Sequence, residues 1–573
     1  METNQLFLEV HSIADLCLAP IETIITLFTI KYCDSRVSIN LVVTKKTRNE
    51  ERSNFIDLSG FTYTVMEVDK LPRYASTCNL PNVIVNETTC VAGLCATLRQ
   101  IVKSRCFETP LHYSKALLGF KDACLLACSE SSIWTKFCEV DLISTLKSIH
   151  GQTSNSDTNE IPESIARFEC HMSQPVRLHN LYKYTMSKKF SINGTTTGNR
   201  DKIPEHIYAE GSQITLADII IFVCIHTFFT LHALRCELLE LIPLTAKWYT
   251  RMLSSEMISE SLRCLRHLES PSFENRVTSY VLPDVENHSL YKSDPKRYKP
   301  RNRIYTKQVD IDDSFALISE LGVSIELASE PFGSEMTLNW DEIPFEATPE
   351  GGALPETRLK RKFEQLENLC RPVMALAKIG DVVVDFCSGG GHLGILIAYL
   401  MPNCEVVLLE NKEESLNRAK KRVEKLQLTN VRFYQCNLDY YKGHFDIGVS
   451  LHACGVATDL VIEHCVSRNA IFVCCPCCYG SVHDCHHIKY PRSNLFKSKI
   501  DPRSYLVLGH SADQTHDENN AKTDQGYKCM SIIDTDRKLH AEQFNYIVHL
   551  AKLVPENCTP KNHLLVGIPE IKS

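Results

Sequence analysis

One stretch of the chain restricts the possible folds more than any other: a buried-strand run that breaks into glycines and restarts as an apolar helix. Val382-Val383-Val384-Asp385 reads as strand, Phe386-Cys387-Ser388-Gly389-Gly390-Gly391 as a flexible turn, and His392 to Leu400 as helix. Glycines let the backbone pass close to a ligand, and the helix start behind them presents free N–H groups. About 25 residues after Asp385, the run Glu405-Val406-Val407-Leu408-Leu409 ends in Glu410, an acid placed to accept bonds from ribose hydroxyls at the end of a second strand. A bare triple glycine is weak evidence. Strand, Asp385, glycines, helix, second strand and terminal acid in that order form the dinucleotide-type arrangement.

The spacing continues in the same sense. Lys412 to Leu428 is a helix with Leu416, Ala419, Val423 and Leu426 on one face, Val431 to Cys436 is a third strand ending at Asn437, and Phe445 to Leu451 is a fourth. His452-Ala453-Cys454-Gly455-Val456-Ala457-Thr458-Asp459 follows the fourth strand, and Ile471-Phe472-Val473-Cys474-Cys475-Pro476-Cys477-Cys478-Tyr479-Gly480 the fifth. Leu506-Val507-Leu508 is expected to add a late strand, Asp513 to Gln525 a polar loop, and Leu564 to Ile568 a final strand.

This succession resembles class I S-adenosylmethionine-dependent methyltransferases rather than nicotinamide enzymes. The resemblance implies a Rossmann-like domain and S-adenosylmethionine as cofactor. It places Asp385, Ser388, Gly389 and Gly391 at the methionine part, Glu410 at the ribose and Asn437 at the adenine. Cys387 and Gly390 depart from the usual loop pattern. Together with Asp385-Phe386-Cys387-Ser388-Gly389, the two later motifs closely resemble the methyltransferase-like region of the glutathione S-transferase C-terminal domain-containing protein family, and a wider group that includes RNA-modifying methyltransferases.

In class I enzymes the ends of strands four and five flank the methyl group. The pocket candidates are therefore His452, Cys454, Asp459, Cys477, Cys478 and Tyr479, with His452 and Tyr479 as the catalytic pair. His452 would take a proton from an amine or hydroxyl nucleophile, since an ordinary imidazole titrates near 6.5. Tyr479 would shape the pocket or stack on a planar substrate. Cys474/Cys477 and Cys475/Cys478 are overlapping C-x-x-C pairs followed by His483, Cys485, His486 and His487, so zinc has soft ligands available. Strand alternation sends neighbouring thiols to opposite faces, and the sequence assigns no metal.

The first half is organised differently. Leu6 to Val10, Pro20 to Tyr32 and Val37 to Val43 form a βαβ pattern, followed by a strand at Val83 to Val85 and a helix from Thr88 to Val102. Beyond Leu111 helical signals dominate. Thr215 caps an apolar helix with Asp218 three residues on, and Ile214 with Ile219 forms a hydrophobic staple. Ile214 to Leu234 carries Asp218, His226 and His232, which suits a buried core helix and not a membrane span. Thr215-Leu216-Ala217-Asp218, Leu241-Ile242-Pro243 and Trp248-Tyr249 resemble the C-terminal helical domain of the glutathione transferase superfamily, with the βαβ unit where that superfamily keeps its thioredoxin-like domain. The resemblance implies glutathione held by Cys17 near the first helix and by Glu87-Thr88. It equally implies a helical platform that docks a protein partner.

The expected architecture is α/β and multidomain: a thioredoxin-like domain over 1–105, an all-α transferase-like domain over 106–275, a linker over 276–335 and a Rossmann-like class I methyltransferase domain over 336–573. Hydrophobic residues at 44% and charged residues at 23% exclude a largely disordered chain. A net charge of −7 excludes a chain-wide attraction to nucleic acid. The one sharp basic cluster is Tyr291 to Lys307, where Lys296, Arg297, Lys299 and Arg301 can neutralise phosphates while Tyr291, Tyr298 and Tyr305 stack on unpaired RNA bases. The 26 cysteines follow a start without an export signal, so reduced thiols and a cytoplasmic location are expected. The functional expectation is an S-adenosylmethionine-dependent methyltransferase with RNA as candidate acceptor. A non-catalytic scaffold and a glutathione-binding transferase are the alternatives.

Overall fold

The computed structural model describes every residue except 1–3, 14–16, 45–53, 150–157, 177–204, 232–235, 266–278, 288, 291–306, 329–336, 353, 516–520 and 571–573. Lys296, Arg297, Lys299 and Arg301 lie outside the described residues. The chain divides into two compact units, Met1–Arg301 and Asn302–Ser573.

In the first unit the apolar runs pair as a mixed sheet. Strand β1 (Gln5–Val10) leads through helix α1 (Ile21–Cys33) to β2 (Ser38–Val43), and β3 (Tyr63–Glu67) follows. A hairpin of β4 (Asn82–Val85) and β5 (Thr89–Ala92) then precedes helix α2 (Leu94–Glu108). β1 pairs parallel with β2, β2 parallel with β3, β4 antiparallel with β1, and β5 antiparallel with β4. The strand β5 occupies residues expected to begin the helix, so Glu87 and Thr88 sit in the hairpin turn.

Glutathione chemistry at Cys17 is contradicted on physical grounds. Cys17 lies on a short strand, Cys17–Ala19, and not at a helix start. It is buried, and that burial pushes its thiol up to about 12. One backbone N–H of the first turn of α2 is already used: Cys95 N donates to the buried carboxylate of Glu139 at 3.0 Å.

The helical part of this unit is built around helix α3 (Leu216–Leu231), whose residues Ile219 to Val223 are fully buried. Its capping acid does more than close the helix. Asp218 accepts from Thr215 N at 2.8 Å, from Ala209 N at 2.7 Å and from Trp248 Nε1 at 2.9 Å, tying the helix start to helix α4 (Pro243–Leu253). Burial raises the Asp218 carboxyl to about 6 against those donors. One apolar cluster continues from the sheet and α1 into these helices. Among the described residues no helix is long and apolar enough to cross a membrane.

The second unit is a seven-stranded sheet. Helix α5 (Glu356–Leu376) precedes β6 (Val382–Phe386), α6 (His392–Leu400), β7 (Glu405–Leu409), α7 (Glu413–Leu426) and β8 (Val431–Gln435). Then come β9 (Ile447–Cys454), α8 (Val456–Val466), β10 (Ile471–Cys477), α9 (Pro502–Ala512), α10 (Ala521–Glu542), β11 (Tyr546–Lys552) and β12 (His563–Pro569). The strand order is β8-β7-β6-β9-β10-β12-β11, parallel through β10, with β12 antiparallel to both neighbours. The order reverses between β6 and β9, and in open α/β sheets the crevice beyond the strand ends at such a reversal is where ligands bind. Leu506 to Leu508 belong to α9 and form no strand. Asp501 accepts from Arg503 N at 2.9 Å and Ser504 N at 3.1 Å, and Pro502 takes the first helical position, so local capping wins over the apolar run.

Candidate functional site

The glycine loop lies at the carboxyl end of β6, beside the reversal. Asp385, the last acid of the strand, is buried and accepts from Gly394 N in α6 at 2.9 Å. Burial raises its carboxyl to about 7, opposed by that N–H and by the Lys362 ammonium. Gly389 and Gly391 adopt left-handed conformations, with φ of 57° and 72°, and so does Cys387 at 56° despite its side chain. Glu410, buried at the end of β7, accepts from Gly389 N at 2.8 Å with one oxygen and from Lys412 N at 2.7 Å with the other. Asn437 follows β8 and is buried at the same end of the sheet.

These residues leave room and unused polar capacity. A Cβ built on Gly389 would meet nothing within 4 Å. The buried Ser388 hydroxyl has no hydrogen-bond partner among the described residues. Lys362, half-buried on α5, acts electrostatically on Asp385 and His452, and among the described residues its ammonium donates no hydrogen bond. A carboxylate acceptor, a hydroxyl and an ammonium without hydrogen-bond partners among the described residues, and an open glycine face suit a ligand with hydroxyls and a carboxylate of its own.

Three contributors are not evident from a first reading of the sequence. Gly389, Gly391 and Gly394 satisfy G-x-G-x-x-G, and the third glycine is the one that allows helix and strand to meet: its Cβ would lie 2.2 Å from Leu408 Cδ2 and 3.0 Å from Asp385 Oδ2. Arg422 of α7 is buried and clamps the loop, donating to Gly390 O at 2.9 Å, Glu346 O at 2.8 Å and Thr348 O at 3.1 Å. Its signal was a charge on the apolar stripe of that helix, one turn from Ala419. Lys362 belongs to a charged segment in which nothing distinguishes it from its neighbours.

The proposed catalytic pair fares differently. His452, two residues before the end of β9, has a φ of 63°; its Nε2 meets Gln365 Oε1 at 3.1 Å and its Nδ1 meets Cys475 Sγ at 3.9 Å. Burial, with the nearby Lys362 charge, lowers its imidazole to about 4. The ring is neutral at pH 7 and a weak base, which corrects the expectation of a near-neutral titration. Tyr479 is fully buried and donates to Asp534 Oδ2 at 2.6 Å, with the Arg537 guanidinium 5.4 Å from its ring centre. It anchors the core and cannot stack on a substrate. Asp459 is equally committed, accepting from Arg537 Nη2 at 2.7 Å and from Tyr490 OH at 2.7 Å.

The cysteines sort by strand alternation. Cys474 and Cys475 are fully buried, Cys474 towards the Arg537 and Asp459 side and Cys475 towards His452 and Lys561 O. Burial pushes Cys474 up to about 12. Neither C-x-x-C pair is therefore a ligand pair. Instead Cys477 and Cys478 meet Cys454, the exposed last residue of β9, with Sγ···Sγ distances of 3.4 Å from Cys454 to each.

Parts of the chain and the chain as a whole are similar to known proteins. Residues 360–485 match the family model described as a methyltransferase domain. Solved structures with partial likeness include an rRNA methylase from Streptococcus thermophilus, 12% identical, covering 36% of this chain and 94% of that one with a TM-score of 0.21. Another is the Pyrococcus abyssi tRNA (uracil-54, C5)-methyltransferase in complex with S-adenosyl-L-homocysteine, 14% identical over 35% of this chain and 37% of that one, TM-score 0.19. Relatives match from end to end. The glutathione S-transferase C-terminal domain-containing protein homolog of Drosophila melanogaster is 42% identical over 96% of this chain and 95% of its own length. The Homo sapiens glutathione S-transferase C-terminal domain-containing protein is 33% identical over 99% and 98%. With that identity sustained across both units, the chain belongs to the glutathione S-transferase C-terminal domain-containing protein family.

Proposed function

We propose that the second unit is an S-adenosylmethionine-dependent methyltransferase whose cofactor lies against Asp385, Ser388, Gly389, Gly391, Glu410 and Asn437, and whose acceptor is RNA. The carrying observation is the Glu410 carboxylate, fixed against Gly389 N–H at the strand reversal beside an open glycine face. S-adenosylmethionine supplies an electrophilic methyl group when bound. Glu410 would take the ribose hydroxyls, Ser388 would donate its unused hydroxyl, and Lys362 would pair with the amino-acid carboxylate. Asp385 holds α6 to the strand through Gly394 N–H, and Arg422 holds the loop's other side. Transfer is an in-line displacement, in which such positioning is the protein's main contribution.

Titration calorimetry of the purified chain with S-adenosylmethionine tests this. Binding is expected in the parent, and removing a carboxyl acceptor in Asp385→Ala or Glu410→Gln should weaken it by roughly 10- to 100-fold. Affinity unchanged in both variants would remove the site, and no binding at all would leave a non-catalytic platform as the reading.

RNA as acceptor is supported by the seven basic residues interleaved with tyrosines between Tyr291 and Lys307. Reversing Lys296, Arg297, Lys299 and Arg301 to glutamate should flatten the salt dependence of RNA binding and lower affinity by at least about 10-fold at 100 mM salt. An unaltered salt slope would exclude this segment. For the first unit we infer a thioredoxin-like origin, supported by its β-α-β element followed by a hairpin and a helix, with docking of a protein partner as the role left to it.

A further inference from the structure

We propose that Cys454, Cys477 and Cys478 form a site for a single zinc ion, with the fourth coordination position open to solvent. Each of these side chains offers one sulfur, and the three lie within 4.8 Å of one another. The ordinary geometry of two neighbouring strands would not bring them together. β9 and β10 pair in register from Ile447 opposite Ile471 to Leu451 opposite Cys475, and then the register shifts so that Cys454 stands opposite Cys477. Three steps on β9 against two on β10 make a bulge, and bulges re-aim side chains at strand ends. The bulge contains His452 at a φ of 63°.

A second irregularity completes the set. Cys478 follows Cys477 directly and in a regular strand would point to the opposite face. Its φ of 53° turns it back, and its sulfur reaches 3.4 Å from that of Cys454. Gly455, at a φ of 58°, fits where a Cβ would lie 2.6 Å from Ser481 O, which brings the segment after β9 close to the one after β10. Left-handed side-chain-bearing residues are strained and persist where the surroundings impose them, often at binding sites. Two such residues converge here on one sulfur cluster.

The dimensions suit zinc. Tetrahedral Zn–S bonds of about 2.3 Å place ligand sulfurs about 3.8 Å apart, so the 3.4 Å contacts need to open by only a few tenths of an ångström. An all-sulfur set selects a soft or borderline ion over magnesium or calcium. The charge of three thiolates is offset by the ion and by Lys412 and Lys561, the latter also paired with Asp513 at 3.2 Å, whose carboxylate faces Cys454 as well. Cys454 is exposed, so the ion has an approach and an open side. The site stands whether or not the unit transfers methyl groups.

The test uses the full-length chain, reduced and stripped with a chelator, titrated with cobalt(II) and then zinc. One cobalt per chain is expected, with a thiolate-to-cobalt charge-transfer band that zinc removes. The band should vanish in Cys454→Ser and in Cys478→Ser and persist in Cys236→Ser, an exposed thiol of the first unit. No band in the parent, or a band that survives Cys454→Ser, overturns the proposal. Should a variant lose its circular dichroism, alkylation of the parent decides: zinc should slow iodoacetamide labelling of Cys454 by at least about 10-fold, and equal labelling with and without zinc overturns the site.

Discussion

Replacing Arg537 with alanine is expected to lower the unfolding free energy of the second unit by roughly 4 kcal/mol or more, enough to stop many domains from accumulating. The guanidinium is fully buried and bridges two carboxylates, Asp459 at 2.7 and 3.1 Å and Asp534 at 2.9 Å. Without it Asp534 keeps Tyr479 and His563, and Asp459 keeps the Tyr490 hydroxyl with the Arg492 guanidinium 3.8 Å away, so neither buried acid retains a hydrogen-bonded guanidinium. Breaking one buried pair typically costs about 3–5 kcal/mol, because the remaining charge is uncompensated. Tyr479→Phe removes a single donor from a carboxylate that keeps Arg537, so a loss of about 1–3 kcal/mol is expected. Urea unfolding followed by circular dichroism separates the two. The acid limb gives a further check. Burial works to raise the Asp534 carboxyl, but His563, Arg537 and Tyr479 outweigh it and hold it below the ordinary range. A depressed folded pKa contributes stability above the unfolded value of about 4 that is lost as pH falls through the folded value. The parent should lose stability on acidification below about pH 4, and Arg537→Ala should lose less, since its Asp534 has lost a partner. Equal stability of parent and Arg537→Ala at pH 7 would refute the network's role.

The same network explains which parts of the site were legible in the sequence. The strand, glycine loop, helix and second strand around Asp385 appear within a residue of where the apolar periodicity puts them, because a parallel sheet buried on both faces leaves an almost continuous apolar signal. The positions of Glu410 and Asn437 were readable because each lies just beyond the end of an apolar strand, β7 and β8 respectively. Tyr479 was misread for a related reason. It too follows a strand end, but its partners Asp534 and Arg537 are more than fifty residues away in α10, and nothing local announces a buried acid and base on a helix of mixed composition. His452 keeps its place at the site yet not its titration, since burial and Lys362 are tertiary facts. The thiol triad depends on a bulge and a left-handed cysteine, two backbone features without a sequence rule outside glycine. Glu87-Thr88 fell in a hairpin turn because Thr89-Cys90-Val91, with β-branched Thr89 and Val91, pairs with β4 before the helix begins.

Gly389 and Gly394, five residues apart in one motif, should lose cofactor binding on the same substitution for different reasons, one by blocking the site and one by disturbing the packing beneath it. A Cβ on Gly389 projects into open space, so Gly389→Ala keeps the packing and pays only for a left-handed alanine at a φ of 57°, about 1–2 kcal/mol. That methyl, however, occupies the face left open beside Glu410, and S-adenosylmethionine affinity should fall by at least about 10-fold while the unit remains folded. At Gly394 the added Cβ meets Leu408 Cδ2 at 2.2 Å and Asp385 Oδ2 at 3.0 Å, so α6 must move off the sheet. Overpacking of that kind costs about 1–3 kcal/mol and lengthens the Gly394 N to Asp385 bond that sets the loop, so stability and binding should fall together. Calorimetric titration and urea unfolding on both variants give two numbers each. A Gly389→Ala protein that binds like the parent would mean that the open glycine face is not where the cofactor lies, and the site would have to be sought elsewhere along the carboxyl ends of the strands.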